Sequence, residues 1–281
     1  MKIQTILSPQ LFPLFADELV GKQVLIIDIL RATTSMVVML DNGAIAVKPV
    51  AGVEEAMKLK RDNPSLLIAG ERNGFKVEGF DFGNSPQEFT SERVTGKSLV
   101  ITTTNGTQAL SLSLAASHIW VGGFLNIDAL VEAISANGED VFLFCAGWKG
   151  HVNLEDTLFA GAVAKSLLLK GFAIADDATR AAMVLWEQAQ GDLHGFLSEA
   201  SHVQRLFEAF EAFAGAVVIG HHRAAKGDAA VACGDDRLGL SQPLVQPGDL
   251  LLLALELGGL RVRPGTALDG RIAGQLTRRP Q

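Results

Sequence analysis

The residues best suited to chemistry lie between positions 28 and 35, where an acid, an arginine and three hydroxyls follow an apolar run. That run, Val24–Ile27, is typical of a buried strand, and residues 36–40 can continue as a helix. Hydroxyls and backbone N–H groups at a helix start favour phosphate. The Asp28 carboxylate favours Mg2+, and Arg31 can clamp an anion with two hydrogen bonds. An ordinary helix cap at Asp28 with a surface ion pair at Arg31 is the alternative.

A second turn with the same chemistry follows the apolar run Leu66–Ala69. It places Glu71 beside Arg72 between two glycines. An acid and an arginine in such a turn can hold a metal ion and an anion side by side. An ordinary polar turn explains the same residues.

The segment 79–86 continues this polar connection. Its phenylalanines alternate with Asp81, so the acid faces away from the buried side. Asn84 and Ser85 offer donors, and Pro86 suits the first turn of a short helix. A helix cap at Asn84 or Ser85 is compatible with a ligand there, because a capped helix start still has free N–H groups.

A third turn, residues 102–107, follows the predicted strand Ser98–Thr102 with four threonines, Asn105 and Gly106. Such a turn supplies many neutral donors and suits a phosphate or sulfonate. It is not a P-loop, because the required glycine and lysine spacing is absent. The alternative is an ordinary β-branched strand that ends in an Asn-Gly turn and binds no ligand.

Small residues follow the next strand end, at Cys145-Ala-Gly, and a helix then begins with Glu155 and Asp156. Acids in a first turn stabilise the helix dipole, but they also suit metal binding or acid–base work. Cys145 is not expected to act as a phosphatase nucleophile. His151 stands about where an arginine would be needed.

The last third of the chain offers weaker candidates. A zinc site at His221, His222 and Cys233 is not favoured, because adjacent histidines point apart and the thiol stands alone. Asp228 or Asp235 is the better candidate there for an oxygen ligand.

Strand-like and helix-like runs alternate along the chain. This pattern predicts an α/β fold with three layers, α/β/α, in which helices cover both faces of a mostly parallel or mixed sheet. Ligands bind such sheets outside the carboxyl ends of the strands, which is where all the polar turns fall. We therefore expect these turns to share one cleft.

Composition narrows the class of protein. The chain has 281 residues, of which 48% are hydrophobic, so it can bury a sizeable core. Its net charge of -7, with no basic stripe, argues against nucleic acid as a partner. No segment is long and apolar enough for a signal peptide or a membrane span, so a cytoplasmic protein is expected.

The domain organisation is predicted as one α/β phosphatase domain over residues 1–281. Two lobes, at about 1–140 and 141–260, are the alternative, and residues 264–281 are expected to form a mobile tail. The sequence is also compatible with a homo-oligomer.

Taken together and in order, the motifs resemble one family, 2-phosphosulfolactate phosphatase (ComB). The likeness runs from about residue 22 to 165 and continues more loosely to about 245. The motifs that carry it are Asp28-Ile-Leu-Arg-Ala-Thr-Thr, Gly70-Glu-Arg, Phe82-Gly-Asn-Ser-Pro, Thr103-Thr-Asn-Gly-Thr, Cys145-Ala-Gly and Glu155-Asp.

This resemblance implies a three-layer fold and a Mg2+-dependent hydrolysis of 2-phosphosulfolactate to 3-sulfolactate and phosphate, in coenzyme M biosynthesis. A phosphatase for another small phosphorylated 2-hydroxy acid and a non-catalytic anion-binding relative are the alternatives. In every case the expected partner is a small anionic organophosphate.

The predicted site has three sets of residues. The catalytic set is Asp28, Arg31 and Glu155. The substrate-binding set is Arg31, Thr33, Thr34, Arg72, Asn84, Ser85, Asn105, Gly106 and Thr107. The Mg2+ ligands are Asp28, Glu71, Asp81 and Asp156.

The nucleophile is left between two routes. Asp28 could attack phosphorus and form an aspartyl phosphate, or a Mg2+-activated water could attack directly. The segment superficially resembles the Asp-x-Asp signature of haloacid dehalogenase-type phosphatases, but Leu30 stands where the second acid would be. The water route is slightly preferred.

Overall fold

The computed structural model describes residues 1–206 and a short strand at Leu276–Thr277. Several predictions lie outside the described residues and stay predictions: the strand Ala216–Ile219, the end of the helix Ser198–Phe213, the tail 264–281 apart from that short strand, and the candidates His221, His222, Asp228, Cys233 and Asp235. The domain organisation also stays a prediction.

The first sheet consists of five parallel strands in the order β7-β2-β8-β1-β9. These are β1 (Lys2–Ile6), β2 (Gln23–Ile27), β7 (His118–Gly122), β8 (Val141–Cys145) and β9 (Ala173–Ile174). Every residue of β2 and β8 is buried, as expected for parallel strands that are covered on both faces. Ile27 pairs with Gly122 and Cys145, so the loops after β2, β7 and β8 leave the sheet at one edge.

The second sheet has the order β10-β3-β6-β4-β5. Its strands are β3 (Ala46–Pro49), β4 (Leu67–Arg72), β5 (Phe75–Lys76), β6 (Ser98–Thr102) and β10 (Leu276–Thr277). The inner strands β3, β6 and β4 are parallel, and the edge strands β10 and β5 pair antiparallel to their neighbours. Gly70 pairs with Thr102, so the turns after β4 and β6 are also neighbours.

The helices of the described part are α1 (Ala32–Asp41), α2 (Val53–Asp62), α3 (Ser91–Val94), α4 (Gly106–Leu112), α5 (Ile127–Asn137), α6 (Leu154–Leu169), α7 (Asp177–Ala189) and α8 (Leu193–Ser198). Residues 201–206 are helical as well. Three short 3-10 helices lie at Pro9–Leu14, Pro86–Glu88 and Phe124–Asn126. None of the helices described here is long and apolar enough to cross a membrane.

Helix α1 packs between the two sheets. Its buried Met36 and Met39 share one apolar cluster with Ile26 of the first sheet and Ile101 of the second. Removing this surface from water is the main favourable term that holds the sheets together. The carboxyl ends of both sheets therefore face the start of α1.

Helix α6 covers the opposite face of the first sheet. Eleven of its 16 residues are buried, because the sheet lies on one side of it and α7 on the other. The crossing with α7 is close: a side chain at Gly161 would begin 2.1 Å from the carbonyl oxygen of Ala182. The acids in the first turn of α6 are consequently buried too.

The predicted α/β class, with helices on both faces of a mostly parallel sheet, is confirmed. The sequence prediction omitted β1, whose five residues alternate only weakly between exposed and buried positions. It also omitted α8 and began its last helix at Ser198, whereas the structure begins that helix at residue 201.

Candidate active site

A cavity of about 410 Å3 opens where the carboxyl ends of the two sheets meet. One side, which we call the strand-end wall, comes from the loops after β2, β4 and β6 and includes Asp28, Arg31, Glu71, Asn84 and Thr103. The facing side, which we call the Trp148 wall, consists of Trp148, Lys149, His202 and Arg205. The cavity has the size of a small-molecule site.

The loop between β2 and α1 is fixed by its own backbone. The Thr33 hydroxyl donates to the Asp28 carbonyl at 2.9 Å, and the Thr34 hydroxyl donates to the Ile29 carbonyl at 2.8 Å. Both threonines are buried and neither lines the cavity. These hydroxyls shape the loop, and the predicted role of Thr33 and Thr34 in binding substrate stays a prediction.

Asp28 lines the cavity with one oxygen anchored and the other available. Its Oδ1 accepts a hydrogen bond from the Ala32 N–H at 3.2 Å, and its Oδ2 has no hydrogen-bond partner among the described residues. Burial raises the pKa of Asp28 to about 6, with the Ala32 N–H and His202 opposing the rise and Glu71 and Glu155 adding to it. Asp28 is therefore mostly ionised at neutral pH.

Gly106, the first residue of α4, packs directly on this acid. A Cβ atom there would lie 2.7 Å from Asp28 Oδ2 and 2.8 Å from the Ala32 side chain. The glycine predicted as a substrate contact thus has a different role, which is to let α4 approach the start of α1. Thr107 is buried and donates to the Thr103 carbonyl at 2.8 Å, so its hydroxyl also serves the turn.

Arg31 follows a cis peptide bond and lines the cavity next to Asp28. One of its terminal nitrogens lies 3.5 Å from the Gly74 carbonyl oxygen. Burial lowers the pKa of Arg31, and the charges of Glu71, Glu88 and Asp28 oppose that change. Within the described part of the chain Arg31 forms no salt bridge. The guanidinium can accordingly bind an incoming anion.

Glu71 reaches the cavity, but its carboxylate already has three donors. Oε1 accepts from the Thr104 N–H and hydroxyl, each at 2.9 Å, and Oε2 accepts from the Gly74 N–H at 2.7 Å. These bonds tie the turn after β4 to the turn after β6. A structural role is thus established for Glu71 beside its predicted role as a ligand.

Two other predicted residues of this region lie away from the cavity. Arg72 donates to the Thr102 hydroxyl at 3.1 Å and to the Glu71 carbonyl at 2.7 Å. Asp81 accepts from the Ile68 N–H at 2.8 Å and from Lys60 at 3.1 Å, near the start of β4 rather than its carboxyl end. Neither lines the cavity, so the structure does not bring Arg72 and Asp81 to the site, and the anion contact and the metal ligand stay predictions.

Asn84 and Thr103 carry buried oxygens that lack partners. Asn84 Oδ1 and Thr103 Oγ1 make no hydrogen bond to any described residue, and both residues line the cavity. A buried polar atom without a partner is costly, so these two oxygens indicate a ligand in the cavity. Ser85 next to them does not line the cavity, and its N–H lies 3.4 Å from Glu88 Oε1.

Asp156, a predicted metal ligand, connects two loops instead. Its Oδ1 accepts from the Ile29 N–H at 2.8 Å and its Oδ2 from the Gly147 N–H at 3.0 Å. Burial, with the charges of Asp28 and Glu155, raises its pKa, and the two N–H donors oppose the rise. With both oxygens engaged and no surface on the cavity, Asp156 is not placed to bind a metal.

Glu155 is fully buried behind His202. The His202 Nδ1 is hydrogen-bonded to Glu155 Oε1, and Oε2 has no partner among the described residues. Glu155 does not line the cavity, whereas His202 does. Glu155 is therefore placed to orient this histidine, and its predicted catalytic role stays a prediction.

The sequence analysis missed the whole Trp148 wall. His202 and Arg205 lie three residues apart on one helix, a spacing that places side chains on the same face. That spacing was an available signal, although it does not reveal which cavity the face meets. Asn105, a predicted contact, lines the cavity and accepts from the Lys149 N–H at 3.0 Å.

Cys145 lies at the end of β8 and is fully buried. Burial, with the charges of Asp156 and Glu155, raises the pKa of its thiol well above the ordinary value. A buried neutral thiol is a poor nucleophile, in keeping with the expectation from the sequence.

Comparison with known proteins agrees with this geometry. A family model described as 2-phosphosulpholactate phosphatase matches residues 13–212. A probable 2-phosphosulfolactate phosphatase of Caldanaerobacter subterraneus subsp. tengcongensis is 39% identical over 68% of this chain and 80% of the relative. A relative with the same name in Thermotoga petrophila is 42% identical over 64% of this chain and 77% of its own length. Another in Clostridium acetobutylicum is 37% identical over 74% of this chain and 88% of its own length. The matched residues include both walls of the cavity and every strand of the two sheets except β1 and β10, and the chain therefore belongs to the 2-phosphosulfolactate phosphatase family of enzymes.

Proposed function

We propose that this enzyme hydrolyses 2-phosphosulfolactate to 3-sulfolactate and phosphate and depends on Mg2+. The observation that carries the proposal is the pairing of Asp28 and Arg31 in one cavity. Asp28 keeps an oxygen without a hydrogen bond, and Arg31 has no salt bridge within the described residues. A phosphate ester brings oxygens for both groups.

The oxygen atoms of the strand-end wall fit a magnesium ion. Asp28 Oδ2, Asn84 Oδ1 and Thr103 Oγ1 all lack hydrogen bonds within the described part of the chain, and hard cations prefer oxygen ligands. Residues 1–206 contain no group of three acid, histidine or cysteine side chains that could hold a metal. Mg2+ commonly binds through one or two carboxylates plus substrate phosphate oxygens, which suits Asp28 as the main protein ligand.

Mg2+, when bound, would neutralise charge on the phosphoryl oxygens. Arg31 would hold the same group from the side of α1, and the fixed loop of Thr33 and Thr34 would keep both side chains in place. We favour water as the nucleophile. The single available oxygen of Asp28 cannot bind the ion and attack phosphorus at the same time. Acid-quenched mass spectrometry during turnover tests this, since a phosphorylated Asp28 would contradict it.

His202 is placed to serve the leaving group. When the bond between phosphorus and the ester oxygen breaks, that oxygen keeps the electron pair and needs a proton. His202 lines the cavity and is oriented by Glu155, so we assign the proton transfer to its ring. An alkyl leaving group needs this proton much more than p-nitrophenolate does.

The direct test is phosphate release from a substrate panel. We expect the purified chain to hydrolyse 2-phosphosulfolactate in Mg2+ and to lose that activity in EDTA, with recovery when Mg2+ is restored. Comparison with 2-phospholactate and phosphoglycolate shows whether another phosphorylated 2-hydroxy acid is preferred. Tight binding without release from any of the three would contradict the proposal and favour a non-catalytic binder.

A further inference from the structure

The Trp148 wall holds a guanidinium group that nothing in the described chain neutralises. Arg205 lines the cavity, its Nε is buried without a hydrogen-bond partner, and it forms no salt bridge within residues 1–206. A buried N–H without a partner is costly. An anionic group on the ligand would satisfy it.

Stacking fixes the position of Arg205, and no acid among residues 1–206 is paired with it. Its guanidinium carbon lies 4.1 Å from the centre of the Trp148 ring, and Lys149 Nζ lies 4.8 Å from the same ring. The aromatic face attracts the cations and leaves the N–H edge of a stacked guanidinium available. The backbone of Lys149 is in turn held by Asn105. This wall therefore offers two cations to an anionic group, in addition to Arg31.

We propose that Arg205, positioned by Trp148 and assisted by Lys149, binds the sulfonate of 2-phosphosulfolactate and selects for sulfonated substrates. This inference rests on the proposed function and deepens it. The carboxylate is attached to the carbon that bears the phosphate ester, whereas the sulfonate is one carbon further away. The sulfonate is thus the group better able to reach the facing wall. Its three oxygens can also meet two separate cations.

A pair of substrates that differ only in the sulfonate tests this. We expect Arg205→Met to lower kcat/KM for 2-phosphosulfolactate by about 10- to 100-fold, the range for losing one charged hydrogen-bonding partner. The kcat/KM for 2-phospholactate should change little. Equal losses for both substrates, or no loss for either, would overturn the inference. Arg205→Lys keeps the charge and should change the selectivity in the same direction by a smaller factor. It replaces Arg205→Met in the test if the methionine variant folds poorly.

Arg93 provides a matched control. Its guanidinium carbon lies 4.1 Å from the centre of the Phe82 ring, so it is stacked in the same way, but it does not line the cavity. Arg93→Met should leave the ratio of the two kcat/KM values unchanged. A change as large as that of Arg205→Met would show that the effect comes from losing a stacked arginine in general.

Calorimetry separates failure of this inference from failure of the proposed function. Wild type should bind 3-sulfolactate more tightly than lactate, and Arg205→Met should lose that preference. If wild type hydrolyses neither ester but shows this Arg205-dependent preference, the proposed function is wrong and the sulfonate site stands. If wild type hydrolyses both esters but has no such preference, or Arg205→Met retains it, the sulfonate site is wrong and the phosphatase stands.

Discussion

The side chains of the two cavity walls are held in place by different interactions. In the strand-end wall, acids and hydroxyls are tied to backbone groups: Glu71 accepts three hydrogen bonds, and Thr33 and Thr34 each close a turn. In the Trp148 wall, cations rest on an aromatic ring, and Arg205 has no acid partner within the described residues. One wall has its geometry fixed by hydrogen bonds, and the other keeps its charge available.

The difference matches two separate tasks. Phosphoryl transfer depends on positioning, so the groups near the reacting bond need a rigid frame. Selection among substrates needs a strong interaction with a group that does not react, which a stacked cation can supply. Changes in the first wall should therefore lower turnover of every substrate. Changes at Arg205 in the second wall should act mainly through the nature of the substrate, whereas His202 of the same wall is assigned to the proton transfer.

The largest effect is expected from Asp28→Asn. It removes the available carboxylate oxygen and should lower kcat for every phosphorylated substrate by about 1,000-fold or more. Asp81→Asn is the control, because Asp81 is bonded to Lys60 and Ile68 outside the cavity and its loss should leave kcat near that of wild type. Steady-state phosphate release in saturating Mg2+ measures both. Near-normal turnover in Asp28→Asn would mean that the strand-end wall is not the catalytic part of the cavity.

Gly106→Ala tests how rigid the strand-end wall must be. The added methyl would lie 2.7 Å from Asp28 Oδ2, so either the acid or α4 must shift. Misplacing a catalytic group by about 1 Å costs on the order of 100-fold, and we expect a loss of that size in kcat. Gly52→Ala has open space around it and is the matched control. Unchanged kcat in Gly106→Ala would show that Asp28 tolerates displacement.

Glu155→Gln should have a smaller effect that depends on the leaving group. An amide still fits beside His202, but it holds the ring less strongly and does not stabilise its charged form. We expect about a 10-fold loss of kcat with 2-phosphosulfolactate, which is less than the roughly 100-fold or more that acid–base catalysis contributes, because His202 itself remains. With p-nitrophenyl phosphate the loss should nearly vanish. The same loss with both substrates would indicate a purely structural pair.

The smallest expected change concerns stability. The pKa of Asp28 rises from its ordinary value of 3.8 to about 6, so folding favours the neutral acid. The contribution of neutral Asp28 to the free energy of unfolding is complete below pH 3.8 and is lost as the pH rises through 6. Without Mg2+ at pH 8, Asp28→Asn should therefore be more stable than wild type by at most about 3 kcal/mol, which is two pH units at about 1.4 kcal/mol each. Thermal unfolding in EDTA at pH 8 and pH 4 measures this, and an equal difference at both pH values would contradict it.

Sequence reasoning was most successful where a motif is local. The turns after β2, β4 and β6 were expected to share one cleft, and Asp28, Arg31, Glu71, Asn84 and Asn105 all line it. Parallel strands end at one edge, so a polar turn after each strand already indicates proximity. Asp81 was expected in the same cleft but does not line the cavity. Alternation predicts the face of a strand but does not reveal which end of β4 the segment meets.

The sequence by itself determined the α/β class, the family and the strand-end wall, because each depends on short-range patterns of polarity and spacing. Tertiary structure alone decided how the acids differ. Neighbouring Glu155 and Asp156 point to a histidine and to two backbone N–H groups, and only the packing of α6 separates those roles. It also decided the Trp148 wall, where Trp148 and Arg205 meet across more than 50 residues of chain. No local sequence pattern predicts such a contact, because it arises when the helices are buried against the sheets.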